Sequence, residues 1–129
     1  MIWNSLIEHQ NDKVFETLIH EAKTNSSLIR SSRHAAAVVY KKKILAIGHN
    51  KRKSHPIELK FQRIPGAIFL HAEKDAIIKT MNRYGDEILQ HCSIYVLRVM
   101  KNGDLGYSKP CESCQAFIKS VGIKKIYWS

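Results

Sequence analysis

No apolar run in the chain approaches the roughly 20 residues that a bilayer-spanning helix needs. The opening Met1-Ile2-Trp3-Asn4-Ser5 has no basic stretch ahead of an apolar one, so no secretion signal is expected and a cytoplasmic protein is. Cysteine is sparse. Three residues cannot complete a disulfide framework, which leaves Cys111 and Cys114 spaced for a metal or a redox pair. Cys92, alone after His91 and just ahead of an apolar run, is expected to be an inert buried thiol. Internal repeats, low-complexity tracts and linkers are also absent, so the 129 residues, 1–129, are expected to form one domain long enough to bury a core. Acidic residues are outnumbered, 11 against 21 Lys+Arg, and the formal net charge is +10. That balance favours polyanionic or phosphorylated partners, nucleic acid and free nucleotides alike, although a solvated lysine-rich surface gives the same count.

What is present is ordinary globular material, 44% apolar, with clear periodicities. Between about Asn11 and Leu28, Val14, Phe15, Leu18, Ile19 and Ala22 fall at helical spacing with Glu16, Glu21 and Lys23 off that stripe. Apolar runs Ala35–Tyr40 and Ile44–Gly48 flank three lysines and predict a β-hairpin, although its turn lacks Asn-Gly. Asn50 to Leu70 reads as a long irregular connection, a kind of loop that is uncommon in small domains and often functional. A helix is expected from His71 to Tyr84, with Ala72, Ala76, Ile77, Met81 and Tyr84 on one side and Gly85 as its stop. Ser93–Met100 is a strong strand signal closed by Asn102-Gly103-Asp104; a helix from Cys111 to Ser120 and a strand from Lys124 to Trp128 follow. The order α-β-β-α-β-α-β is that of an α/β layered domain whose last two β-α-β connections are long enough for parallel crossovers.

Two short segments carry the chemistry: His71-Ala72-Glu73 and Pro110-Cys111-Glu112-Ser113-Cys114. One imidazole and two thiols make a natural three-ligand set for a catalytic zinc ion, with a fourth position left open. Proline suits the entry of a helix, which would hold Cys111 and Cys114 one turn apart, where unpaired amides and the helix dipole favour thiolates. Two thiolates and a neutral imidazole formally cancel the charge of zinc(II). Glu73 would sit beside the metal without binding it, placed to take and return protons. Each half is weak alone. A structural zinc needs a fourth ligand, for which Cys92, His91 and His49 are the evident donors, and a redox dithiol leaves His71 and Glu73 without roles.

With both fragments in this order the chain resembles the cytidine and deoxycytidylate deaminase superfamily, whose zinc enzymes carry H-x-E followed by P-C-x-x-C. The likeness is to the deoxycytidylate-type branch, which includes small phage and viral versions. It rests on Gly48-His49-Asn50, His71-Ala72-Glu73-Lys74-Asp75-Ala76-Ile77, Ser108-Lys109-Pro110-Cys111-Glu112-Ser113-Cys114 and the terminal Gly122–Tyr127 stretch. The resemblance implies a three-layer α-β-α fold with a mixed central sheet. It also implies zinc held by His71, Cys111 and Cys114, Glu73 as proton shuttle, and substrate contacts from Asn50 and the Ala72 amide. Assembly from identical subunits is implied as well. Two departures stand out. The chain stops at Ser129, so the usual fifth strand is expected to be missing, leaving Lys124–Trp128 at a sheet edge open to a partner. The loop Lys51-Arg52-Lys53-Ser54-His55-Pro56 is more basic than a free-nucleoside pocket needs.

The reaction this resemblance implies is hydrolytic conversion of a cytosine mononucleotide, dCMP to dUMP, with release of ammonia. Lys51, Arg52, Lys53 and His55 are then candidate phosphate contacts, against the plainer reading of a solvated loop. The alternative is a deaminase acting on a base in tRNA or single-stranded nucleic acid, including an adenine, because pocket shape and not motif spacing selects the base. Net charge favours that alternative, whereas Phe61, Phe69 and Tyr107 are the only evident stacking aromatics. A catalytically idle zinc-stabilised binding module is a third reading, and the intact Glu73 argues against it because holding zinc does not require it.

Overall fold

The computed structural model describes residues 2–5, 13–25, 32–50, 71–100 and 102–129. The described elements run β1 (Ile2–Ser5), α1 (Lys13–Asn25), β2 (Ser32–Tyr40), β3 (Lys43–His49), α2 (Ala72–Tyr84), a 3-10 turn (Glu87–His91), β4 (Ser93–Met100), β5 (Leu105–Gly106), α3 (Glu112–Ser120) and β6 (Lys125–Trp128). The strands form a mixed sheet in the order β1-β6-β4-β2-β3, with the two-residue β5 added antiparallel to the end of β4. β2 pairs antiparallel with both β3 and β4, while β6 runs parallel to β4 and to β1. The α3 connection between β4 and β6 is therefore a parallel crossover, as expected.

Alternation along β2 sorts the core into two layers. Ala35, Ala37 and Val39 pack with Val14, Phe15, Leu18 and Ala22 of α1 on one face. Ala36 and Val38 pack with Ala72, Ala76 and Ile77 of α2 and with Phe117 and Ile118 of α3 on the other. Side chains such as Leu18, Ile77 and Ile118 are fully buried, each worth about 1.5–3 kcal/mol of transfer free energy. The three-layer α-β-α architecture with a mixed sheet is thus as the resemblance implied.

The strand count is corrected. β1 pairs residue by residue with β6, Ile2 against Lys125 through Ser5 against Trp128, so the sheet has a fifth strand and β6 is not an edge. The backbone of the chain's first residues does what a strand beyond β6 was expected to do, and parallel pairing satisfies the groups an edge would expose. Tyr84, placed by periodicity on the apolar side of α2, is instead 48% exposed at the helix end. The hairpin turn is made by Lys41 and Lys42 with positive φ, 47° and 68°, the backbone of a two-residue turn that Asn-Gly would adopt with less strain.

Candidate active site

His71 and Cys111 occupy equivalent places, each the residue just ahead of a helix in extended backbone, at φ −72°, ψ 152° and φ −67°, ψ 167°. Their carbonyls accept the first helical bonds, from the Asp75 N–H at 3.0 Å and the Gln115 N–H at 2.8 Å. Neither uses its side chain as a cap, and the imidazole and the thiol meet between the helices. Cys114 follows one turn into α3, fully buried. His71 Nδ1 lies 3.1 Å from Cys114 Sγ and 3.5 Å from Cys111 Sγ, and the three donor atoms all fall within 4.8 Å of one another. The edges of a tetrahedral zinc site with nitrogen and sulfur ligands run about 3.5–3.8 Å, so this donor set fits a zinc ion. The Cys111 thiol is pulled down to about 3 because its sulfur accepts a hydrogen bond from Cys114, and that contact pushes Cys114 up.

Glu73 lies in the first turn of α2, 5% exposed, on the wall of a cavity of about 260 Å³. Burial pushes its carboxyl above the usual carboxylate range, while the neighbouring His71 charge pulls the other way. The same cavity is lined by Ala72, Asn50, Cys111 and His34. Asn50 sits just past β3, where its Oδ1 accepts the His34 backbone N–H at 3.3 Å. That bond uses the amide's acceptor and leaves its Nδ2 donor for the cavity.

The site is braced from behind. Lys74 is fully buried, and its Nζ donates to Ser113 Oγ at 2.6 Å, tying α2 to α3 between the cysteines. Asp75 accepts the His49 N–H at 3.1 Å and pairs with Lys79 at 3.1 Å, fixing α2 against β3. Ser108 donates to the Val96 carbonyl at 2.9 Å and sets the segment leading to Cys111. Cys92 is buried, with its thiol pushed up by burial, and stands outside the site.

The structure therefore brings together His71, Ala72, Glu73, Cys111, Cys114 and Asn50. Lys51, Arg52, Lys53 and His55, the candidate phosphate contacts, lie outside the described residues. Reading the sequence missed His34. The signal was parity: Ala36 and Val38 face α2, so His34 points to the same side of the sheet.

Burial, then Arg98, then His71 lower the His34 pKa to about 4. An unfolded histidine charges near 6.5, so unfolding takes up a proton between those values and stability falls as pH drops from about 6.5 to 4. His34 is expected to contribute about 2 kcal/mol of this loss by pH 4.5. Urea unfolding of wild type and His34→Gln at pH 7 and 4.5 measures it. A stability difference between the two proteins that does not change with pH would contradict the assignment.

Residues 8–129 match the model of the cytidine and deoxycytidylate deaminase zinc-binding region. The chain belongs to that family, and it is a zinc-dependent hydrolase of the deaminase type. No curated protein sequence matches it. Among solved structures it is similar to the apo dCMP deaminase of cyanophage S-TIM5, at 23% identity over 90% of this chain and 82% of that one, TM-score 0.56. The same phage enzyme in complex with dCMP and dUMP aligns at 22% identity over 95% and 79%, TM-score 0.56. A structure from work on A-to-I editing by tRNA deaminases at the wobble position of transfer RNA aligns at 20% identity over 94% and 75%, TM-score 0.57. These likenesses are ones of fold. No described helix is long and apolar enough to cross a membrane.

Proposed function

We propose that the protein hydrolytically deaminates a cytosine mononucleotide, dCMP to dUMP with release of ammonia, with the whole chain as one catalytic domain. The observation that carries this is a buried carboxyl, Glu73, opening into the same small cavity as the oriented Asn50 amide and His71 and Cys111, which form one donor set with the buried Cys114. In this reading the three donors hold zinc, which when bound supplies a Lewis acid that eases the ionisation of water. Glu73 takes the proton from the attacking water and delivers it to the N3 ring nitrogen of the base. It then assists departure of the amino group, acting first as general base and then as general acid. Asn50 Nδ2 and the Ala72 N–H, one of the unpaired amides at the start of α2, orient the nucleotide.

A family member of similar fold solved with dCMP and dUMP supports the mononucleotide. The net charge of +10 supports the second reading, a base within tRNA or single-stranded nucleic acid. Ammonia release from dCMP, CMP, deoxycytidine, single-stranded DNA and tRNA decides between them. Turnover of dCMP that disappears on chelation and returns with zinc is the expected result. Turnover confined to an oligonucleotide would replace it with the alternative, and silence on every compound would sink both. Light scattering on the same preparation checks the proposed assembly from identical subunits.

A further inference from the structure

The cavity reading leaves two basic groups without work. His34 and Arg98 are direct cross-strand partners in the β2–β4 ladder, and both stand on the sheet face that carries α2, α3 and the metal donors. The His34 ring lines the cavity. Arg98 stands beside it, close enough for its charge to depress the imidazole. Its stem lies by Gly106, where an added Cβ would stand 2.6 Å from Met100 Sδ and 3.1 Å from Arg98 Cδ, so the missing side chain makes room for both. Arg98 Nε is buried and has no hydrogen-bond partner, and among the described residues no carboxylate pairs with the guanidinium. A buried donor left unsatisfied beside a second basic group, at a cavity built for a base, calls for an anionic partner.

We propose that His34 and Arg98 form the seat for the phosphate group of the substrate nucleotide, so that the site takes a monophosphate in preference to a free nucleoside. The inference rests on the proposed function and deepens it. The guanidinium offers paired N–H donors to phosphate oxygens, and the imidazole adds one N–H from the neighbouring strand. Asn50, held by the His34 backbone, fixes the nucleotide between the seat and Glu73.

Calorimetric titration of the zinc-loaded protein with dUMP and with deoxyuridine tests the seat without turnover. The wild type is expected to prefer dUMP, and Arg98→Met to reduce that preference by about 10–100-fold, the scale of a hydrogen bond to a charged group. Arg98→Lys should keep part of the preference, since it retains the charge and loses the fork. Zinc content and melting temperature confirm that each variant is folded. Should Arg98→Met lose zinc, His34→Leu and Arg98→Lys carry the comparison. Equal affinity of the wild type for the two ligands, or a preference that the variants do not move, would overturn the seat. A wild type that binds dUMP through Arg98 yet releases no ammonia from dCMP would remove the proposed reaction and leave the seat standing. One that deaminates dCMP with a preference untouched by Arg98→Met would do the reverse.

Discussion

Glu73→Gln is expected to lower kcat for deamination by about 10²–10⁴-fold, with zinc content and KM close to those of the wild type. The carboxamide has the carboxyl's shape, so the 5% exposed side chain is replaced without opening a void. It cannot, however, accept a proton from water and pass it on. An interaction used only in the transition state shows in kcat and kcat/KM together, whereas a residue that merely shaped the cavity would show in KM. Stability supplies an independent readout. Burial already disfavours the ionised carboxylate at this position, so removing the charge should leave the melting temperature equal or higher. A variant that keeps zinc and turns over at the wild-type rate would end the assignment of Glu73 as proton shuttle. A large drop in melting temperature would mean that Glu73 serves the fold more than the chemistry.

The strands and helices that the sequence reveals are those whose burial is periodic. β2, β4 and α1 each turn one clear stripe toward a neighbour, and their expected spans agree with the observed ones within a few residues. β1 escaped because Ile2-Trp3-Asn4-Ser5 is too short to show alternation and its pairing with β6 depends on residues at the other end of the chain. β5 has two residues and no pattern of its own. The donor set was legible because His71, Cys111 and Cys114 are marked by local spacing and by helix entry. Lys74 shows the opposite case. A lysine beside a glutamate and an aspartate reads as solvated surface, yet it is fully buried because α3 crosses there and offers Ser113 as partner. His34 and Arg98 are joined only by the register of the sheet, which no local motif encodes.

Gly48→Ala is expected to cost about 2–3 kcal/mol or more and to take zinc binding with it. A Cβ at Gly48 would stand 2.3 Å from the Ala72 carbonyl oxygen, 2.3 Å from the Ala76 nitrogen and 2.9 Å from Ala76 Cα. All three atoms belong to the backbone of α2, so no rotamer change relieves the clash and the helix itself must move away from β3. Three contacts resist that movement: Asp75 on the His49 N–H at 3.1 Å, Lys79 on the Ile47 carbonyl at 3.2 Å and Arg83 on the Leu45 carbonyl at 3.4 Å. The displaced helix begins with His71 and Glu73, whose distances to the cysteines on α3 are set by how closely α2 lies on the sheet. Loss of stability and loss of metal should therefore appear together, in urea unfolding and in zinc content at equal protein concentration. Gly103→Ala is the comparison. Its φ of +93° makes alanine strained, but nothing lies within 4 Å of an added Cβ, so it should cost about 1–2 kcal/mol and keep its zinc. If Gly48→Ala binds zinc like the wild type, the close approach of α2 to β3 does not position the site, and the metal donors must be held by the packing of α2 against α3, which includes the Lys74–Ser113 hydrogen bond.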